Sequence, residues 1–264
     1  MRIFVCVKQV PDTSGVVAVN PDGTLNRASM QTIINPDDLI AMEQALVLKD
    51  NTGCQVTAVT MGPPPAEGML RELLAMGADD AILISAREFG GSDTFATSQI
   101  ISAAINHVGY SDEDMIFCGR QAIDGDTAQV GPQISEHLGL PVISYAEGIE
   151  IDGDSVIVKR QFDDRYMMLK AKMPCLITAL SELNEPRYMT PGGIFDAYKK
   201  DITVWGRNDL KDVLDSNLGL KGSPTQIAKA SDKVRKGAGV KETNLDPSAA
   251  ANYIVEKLTE KHVL

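Results

Sequence analysis

The chain has 264 residues, with 25 basic and 36 acidic side chains, so its formal net charge at pH 7 is −11. This acidic balance argues against binding to a nucleic-acid backbone, which requires a basic face. Hydrophobic residues make up 44% and charged residues 23% of the chain, which is ordinary for a globular protein rather than a disordered one.

The N-terminal residues read directly as a strand and lack the apolar core and cleavage site of a signal peptide. No apolar run reaches the ~20 residues of a membrane span. The four cysteines are scattered without a Cys-x-x-Cys pair, which is typical of reduced thiols rather than of a disulfide framework or a zinc site. These features predict a cytoplasmic protein with no membrane span.

The first 140 residues alternate short apolar runs with helix patterns. The predicted strands cover residues 3–10, 56–61, 81–85 and 115–118. The predicted helices cover residues 36–49, a segment after the prolines at 63–65 that ends at Gly77, a segment from a cap at Ser92 or Asp93 to about Val108, and a segment from a cap at Asp126 or Thr127 to about Leu138. Continuous apolar strands separated by helices indicate an α/β fold with a parallel sheet that helices cover on both faces.

The pattern changes after Pro141. Residues 149–151 and 156–158 flank an Asp-Gly-Asp turn and predict an antiparallel hairpin extension. Further elements are predicted as strands at 166–169 and 175–180, a loop at 184–200 and a last helix at 248–261. Residues 1–200 are therefore predicted to form the α/β domain, and residues 201–264, which have too few large apolar side chains for a core, to form a C-terminal arm.

The segment at 119–132 is the most informative for function, because it follows a strand and opens a helix. In an open α/β sheet, ligands bind at the carboxyl ends of the strands, and a helix N-terminus offers free N–H groups to an anion. The glycines at 119, 125 and 131 would let the backbone approach a ligand, and Thr127 and Gln129 could bind phosphate oxygens. The spacing matches neither the P-loop nor the dinucleotide fingerprint, so a capped helix preceded by a flexible loop is an equal alternative.

Other strand ends carry similar polar residues. Asn35 precedes a proline that opens a helix, so it is either a helix N-cap or, with Asp38, a contact to a sugar or ring. Met61 and Cys6 end two further strands. Strand ends that converge in this way predict a nucleotide site. The histidines and cysteines match no catalytic or metal-binding motif, so no catalytic residue and no metal ligand is predicted, and redox chemistry would require a bound cofactor.

Several motifs in order along the chain resemble the beta subunit of electron transfer flavoproteins. The most specific is Gly-Arg-Gln-Ala-Ile-Asp-Gly-Asp at 119–126, followed by Leu-Asn-Glu-Pro-Arg-Tyr at 183–188. The other matching stretches are Val-Lys-Gln-Val-Pro-Asp at 7–12, Asn-Pro at 35–36 with Ala-x-Glu-x-Ala-Leu at 41–46, Ser-Pro-Thr at 223–225 and Lys-Gly-Ala-Gly-Val at 236–240.

The resemblance implies an α/β nucleotide-binding domain and a C-terminal arm that embraces an alpha subunit in a heterodimer. It also implies contact with an acyl-CoA dehydrogenase-type partner between Leu183 and Lys200, although the leucine that respiratory members present after Tyr188 is missing here. The implied cofactor-binding residues are Cys6, Asn35, Asp38, Met61, Gly119, Arg120, Gln121, Ala122, Asp124, Gly125, Asp126, Thr127, Ala128, Gln129 and Val130.

The resemblance leaves two cofactors open. In respiratory members the beta site holds AMP, and the protein carries electrons from dehydrogenases. In electron-bifurcating members it holds FAD, which accepts hydride from NADH and splits the electrons between ferredoxin or flavodoxin and the alpha-subunit FAD. The stretch at 12–38, which includes residues 23–27, and the stretch at 125–132 look like the bifurcating, anaerobic branch. FAD is therefore the expected cofactor and AMP the alternative.

Overall fold

The computed structural model describes residues 1–12, 31–225 and 237–264. Residues 13–30 and 226–236 lie outside this description, and with them two stretches used above, residues 23–27 and Lys236. The chain divides into two compact units, Met1–Ala228 and Lys229–Leu264.

The strands and helices of the described residues follow the predicted order closely. The strands are β1 Arg2–Cys6, β2 Gln9–Pro11, β3 Thr32–Ile34, β4 Gln55–Met61, β5 Asp80–Ile84, β6 Met115–Gly119, β7 Val142–Asp152, β8 Ser155–Gln161, β9 Tyr166–Lys172, β10 Cys175–Ala179 and β11 Thr203–Trp205. The helices are α1 Pro36–Thr52, α2 Glu67–Met76, α3 Thr94–Val108, α4 Val130–Leu138, α5 Pro191–Ala197, α6 Gly219–Gly222 and α7 Pro247–Glu260.

A nine-stranded sheet organises the first unit, with the strand order β11-β5-β4-β1-β6-β10-β7-β8-β9. The strands from β11 to β7 run parallel, and β7, β8 and β9 pair antiparallel. Side chains of α1 and α2 form the core on one face, and those of α3 and α4 form the core on the other. The predicted α/β fold with its antiparallel extension is confirmed.

The first predicted strand is wrong in its length, because the chain changes partner within it. β1 ends at Cys6, and after Val7, whose N–H donates to the Val59 carbonyl, the chain leaves the main sheet. Residues 9–11 pair instead with β3 in a separate two-stranded antiparallel sheet. A continuous apolar run signals burial but does not reveal which strand each part of it pairs with.

The predicted loop at 184–200 contains helix α5. Thr190 caps this helix by accepting a hydrogen bond from the Gly193 N–H at 3.0 Å, and Pro191 occupies its first turn. The Thr-Pro pair is a helix start signal that the composition of the surrounding segment obscured.

The first unit extends beyond residue 200, where the sequence suggested a boundary. β11 pairs parallel with β5, and Leu210, Val213 and Leu218 are buried in the core beside α3. These few apolar residues do not form a core of their own, but they complete an existing one. In the second unit, α7 is capped by Asp246 and has no buried residue.

A sharp corner in β7 separates the parallel sheet from its antiparallel extension. Tyr145 adopts the left-handed backbone conformation, with φ of 60°, where the registers of β7 with β10 and with β8 both shift. Beyond the corner, β7 and β8 form the predicted hairpin, which turns at Gly153. Among the described residues, no helix is long and apolar enough to cross a bilayer.

Candidate functional site

The candidate site lies at the carboxyl ends of β1 and β6, where the direction of the strand order reverses. The chain runs outward from β1 through β4 to β5 and then returns to the opposite side of β1 with β6. In open α/β sheets this switch point leaves a crevice in which ligands bind. Helix α1 begins on one side of the crevice and α4 on the other, so the crevice is bordered by two helix N-termini.

Asn35 joins α1 to the loop after β6. It occupies the predicted N-cap position of α1, where its carbonyl accepts from the Leu39 N–H at 3.0 Å, but its side chain makes no cap hydrogen bond. Its Nδ2 donates to the Gln121 carbonyl at 2.8 Å, and its Oδ1 accepts from the Ile123 N–H at 3.1 Å. The side chain is fully buried, and both of its polar atoms bind the chain itself. Its contribution is to fix the loop, and contact with a sugar stays a prediction.

Asp38 holds the ends of β1 and β6 together. Its two carboxylate oxygens accept hydrogen bonds from the Gly119 N–H at 2.9 Å and the Lys8 N–H at 2.8 Å. Burial raises the pKa of Asp38 to about 7, while these two donors act to lower it. Gly119 is required here because a Cβ on it would lie 2.5 Å from the Asp37 carbonyl carbon. The missing side chain of Gly119 therefore leaves room for the backbone of α1, not for a ligand.

Basic side chains neutralise the carboxylates around the crevice. Lys8 Nζ binds both oxygens of Asp124, at 2.8 and 2.9 Å, and Arg120 Nε lies 3.4 Å from Asp37 Oδ2. Burial raises the pKa of Asp37, and the Arg120 guanidinium lowers it. Asp124, one of the implied cofactor-binding residues, is therefore already paired. The sequence interpretation missed Lys8 and Asp37, although Lys8 stands in a strand-end motif and Asp37 precedes Asp38.

The loop between β6 and α4 is folded by its own contacts in its first half. The Ala122 carbonyl accepts from the N–H groups of Gly125 and Asp126, at 3.2 and 2.9 Å. Gln121 Nε2 donates to Asp126 Oδ1 at 2.9 Å. Gly125 is not left-handed, and nothing lies within 4 Å of the position its Cβ would take, so a close backbone approach at this residue depends on a ligand alone.

The second half of the loop leaves its backbone donors free. Within the described part of the chain, no hydrogen bond is donated by the N–H groups of Thr127, Ala128, Gln129, Val130 and Gly131. Asp126 and Ala128 are left-handed, with φ of 51° and 53°, and Gln129 is right-handed. Alternation of this kind turns successive N–H groups into a concave anion-binding nest, here at the positive end of α4.

The predicted cap of α4 is wrong, because the helix begins at Val130 and neither Asp126 nor Thr127 caps it. The Gln129 side chain is used elsewhere, since its Oε1 accepts from the Thr94 hydroxyl at 2.9 Å. The Thr127 side chain is exposed and has no partner among the described residues, so its hydroxyl is available beside the free N–H groups.

Cys6 ends β1, which borders the crevice, and Met61 ends the neighbouring strand β4. Cys6 is buried and lies in register with Cys118, and Met61 is half-buried against the α3 face of the core. The hydrogen bond with Cys6, together with burial, raises the pKa of the Cys118 thiol well above its usual range. A thiol of this kind is inert, which fits a structural rather than a nucleophilic role.

Comparison with known proteins was made for the whole chain. Residues 22–210 match the family model described as the electron transfer flavoprotein domain. The chain is 64% identical to the acryloyl-CoA reductase electron transfer subunit gamma of Anaerotignum propionicum, and 51% identical to the electron transfer flavoprotein subunit beta of Clostridium acetobutylicum. It is 48% identical to a subunit of the caffeyl-CoA reductase-Etf complex of Acetobacterium woodii. Each match covers 100% of both chains.

Proposed function

We propose that this chain, which belongs to the electron transfer flavoprotein family, is a beta subunit that binds FAD in the crevice between α1 and α4. The bound FAD would accept hydride from NADH and divide the electrons between ferredoxin or flavodoxin and the FAD of an alpha subunit, which serves an acyl-CoA dehydrogenase-type partner. The names of two relatives support this branch, because both proteins are subunits of acyl-CoA reductase systems.

The row of free N–H groups at residues 127–131 is the observation that carries the proposal. Five unpaired donors at one loop and helix start have no acceptor in the described chain, and a diphosphate supplies acceptors of the right charge. The protein is acidic overall and does not attract an anion from a distance, so such local donors must hold it. Thr127 adds a hydroxyl at the same place.

The charges around the crevice suit a phosphate. Asp124 would repel an anion, but Lys8 neutralises it, and Arg120 does the same for Asp37. The α1 side offers no free hydrogen-bond donor from Asn35 or Asp38, because both side chains bind the segment at residues 119–121. Their effect is to hold the loop after β6 in place. A ligand therefore meets a loop that is already positioned, which lowers the entropic cost of binding.

AMP is the second candidate cofactor, because the same nest fits the phosphate of a mononucleotide. With AMP the chain would be the subunit of a non-bifurcating carrier that takes electrons from dehydrogenases.

The four cysteines are free and buried, which is compatible with a reducing compartment, and the cytoplasmic location stays a prediction.

The partner surface is proposed at residues 183–200. Arg187 anchors this segment to α1 through three hydrogen bonds of its side chain to Glu43, at 2.9, 2.9 and 3.0 Å, and one to Asp50 at 2.8 Å. Beyond this anchor, three aromatic side chains are largely exposed, with Tyr188 at 95%, Phe195 at 74% and Tyr198 at 73%. Exposed aromatic clusters are typical of protein interfaces, and we assign this one to the acyl-CoA dehydrogenase-type partner.

The deciding experiment is the flavin content of the chain coexpressed with an alpha subunit, followed by anaerobic titration with NADH. Two FAD molecules per heterodimer, with optical reduction of flavin by NADH, are expected. One FAD with one AMP, and no reduction by NADH, would replace the bifurcating function with the AMP-type carrier. Failure of the chain to form any heterodimer would contradict both.

A further inference from the structure

Arg160, near the end of β8, is a half-buried arginine that has no acidic partner among the described residues. Its Nε is buried without a hydrogen-bond partner, and the guanidinium forms no ion pair with any described residue. Arg120 Nε likewise has no hydrogen bond, but the Asp37 carboxylate lies 3.4 Å from it. The remaining half-buried arginines of the described chain each have an acceptor: Gln55 for Arg2, Glu67 for Arg71, Glu43 for Arg187 and Asp215 for Arg207. Among the described residues, Arg160 is therefore the half-buried arginine that has neither a hydrogen-bond acceptor nor an acidic partner. A buried donor without a partner is costly, so this exception requires an explanation.

Two aromatic rings hold the Arg160 guanidinium in place. Its central carbon lies 4.6 Å from the ring centre of Phe162 and 5.8 Å from that of Tyr145. Tyr145 is the left-handed corner residue of β7, and its N–H donates to the Thr178 hydroxyl at 3.1 Å. Contact with rings restrains a guanidinium in one orientation. Because Nε is buried, the two terminal Nη groups form the edge that can meet a planar acceptor.

The surroundings of Arg160 are apolar and exposed. Met167 stands directly opposite it on β9, the edge strand of the sheet, and is 45% exposed. Its neighbours Tyr166 and Met168 are 58% and 57% exposed. Arg, Tyr, Phe and Met are the residue types enriched at protein interfaces, and an edge strand is a common docking element.

Two basic side chains close to Arg160 in the sequence are already paired. Lys159, which precedes it on β8, binds Glu147 at 2.8 Å. Arg165, whose guanidinium carbon lies 5.6 Å from the ring centre of Phe162, is 3.5 Å from Asp164. Arg160 therefore offers a single fixed guanidinium within an apolar rim. A carboxylate fits one guanidinium bidentately, whereas a phosphate dianion calls for several donors.

We propose that Arg160 receives a carboxylate side chain of the partner flavoprotein subunit, with Met167, Tyr145 and Phe162 shielding the pair from water. This inference rests on the proposed function only in that it requires the heterodimer. The contact lies on β8 and β9, apart from the crevice and from residues 183–200, and so assigns a separate surface of the sheet to the subunit interface.

The test uses the full chain assembled with an alpha subunit. Arg160→Gln should weaken the heterodimer at least tenfold in Kd, mainly through faster dissociation, and should reduce the dependence of Kd on salt. Arg160→Lys, which keeps the charge but not the planar edge, should lie between that variant and the wild type. Arg87→Gln is the matched control, because Arg87 is exposed and its side chain has no partner among the described residues. It should leave Kd unchanged.

An unchanged Kd for Arg160→Gln would overturn the proposal. Loss of bound nucleotide at unchanged Kd would also overturn it, because Arg160 would then bind a phosphate. A change in self-association alone would overturn it as well, because Arg160 would then contact a second copy of this chain. If Arg160→Gln does not fold, a photo-crosslinking amino acid at position 167 decides: a crosslink to the alpha subunit is expected, and its absence contradicts the proposal. If the wild-type chain forms no heterodimer, the proposed function fails instead.

Discussion

The two sides of the crevice use their polar groups in opposite ways. On the α1 side, Asn35 and Asp38 are buried and bind the chain itself through every polar side-chain atom. On the α4 side, the N–H groups of residues 127–131 and the Thr127 hydroxyl have no partner in the described chain. The α1 side therefore stabilises the fold, and the α4 side is available to bind a ligand. Substitutions on the α1 side should lower the free energy of unfolding, and substitutions on the α4 side should weaken ligand binding.

The largest effect is expected from Gly119→Ala on the α1 side. The new Cβ would lie 2.5 Å from the Asp37 carbonyl carbon and 2.6 Å from the Asp38 backbone nitrogen, so α1 would have to move. We expect the free energy of unfolding to fall by about 3 kcal/mol or more, measured by urea denaturation. Gly125→Ala, in the loop that follows β6, is the matched control, and its change in the free energy of unfolding should stay within about 0.5 kcal/mol. Equal effects at the two glycines would remove the distinction between the two sides.

A smaller, pH-dependent effect is expected at Asp38. Because burial raises the pKa of Asp38 from 3.8 to about 7, the folded state binds more protons than the unfolded state between these values. The contribution of Asp38 to the free energy of unfolding is therefore fully present below pH 4 and declines as pH rises to about 7, by at most ~1.4 kcal/mol per pH unit. Asp38→Asn does not titrate, so the stability difference between wild type and variant should shrink over this range and stay constant above it. A difference that grows with pH would mean that the two N–H donors outweigh burial.

The smallest effect is expected from Thr127→Ala on the α4 side, and it should fall on the ligand alone. Loss of one hydrogen bond to a charged phosphate should weaken nucleotide retention by about 1–2 kcal/mol, measured by equilibrium dialysis of the heterodimer. The free energy of unfolding of the nucleotide-free chain should not change. Thr203→Ala, at an exposed threonine of β11, controls for the loss of a surface hydroxyl. Unchanged nucleotide retention in Thr127→Ala would mean that the backbone N–H groups bind the nucleotide without the Thr127 hydroxyl.

The strand ends and helix starts that form the candidate site were predicted from the sequence, but the hydrogen bonds and ion pairs of its residues were not. The glycine-bearing segment after β6 and the Asn-Pro start of α1 could be found from local sequence, because each carries a strand end and a helix start within a few residues. That Asn35 binds Gln121 and Ile123 could not be found, because the pairing spans more than eighty residues of chain. The same holds for Lys8 and Asp124, whose ion pair depends on β1 and β6 being neighbours.

The amino-acid sequence by itself determined the alternation of strands and helices, the hairpin at Gly153, the helix ends at Gly77 and Gly139, and membership of the family, since all of these depend on local patterns of burial and backbone preference. Only the tertiary structure decided which strands pair and which polar atoms remain free. It ended β1 at Cys6, and it brought β11 and Leu210 into the first unit. It also left five N–H groups unpaired at the start of α4. The physical reason is that a donor or an apolar side chain is satisfied by whichever residue is nearest in space, and the fold of the whole chain sets that neighbour.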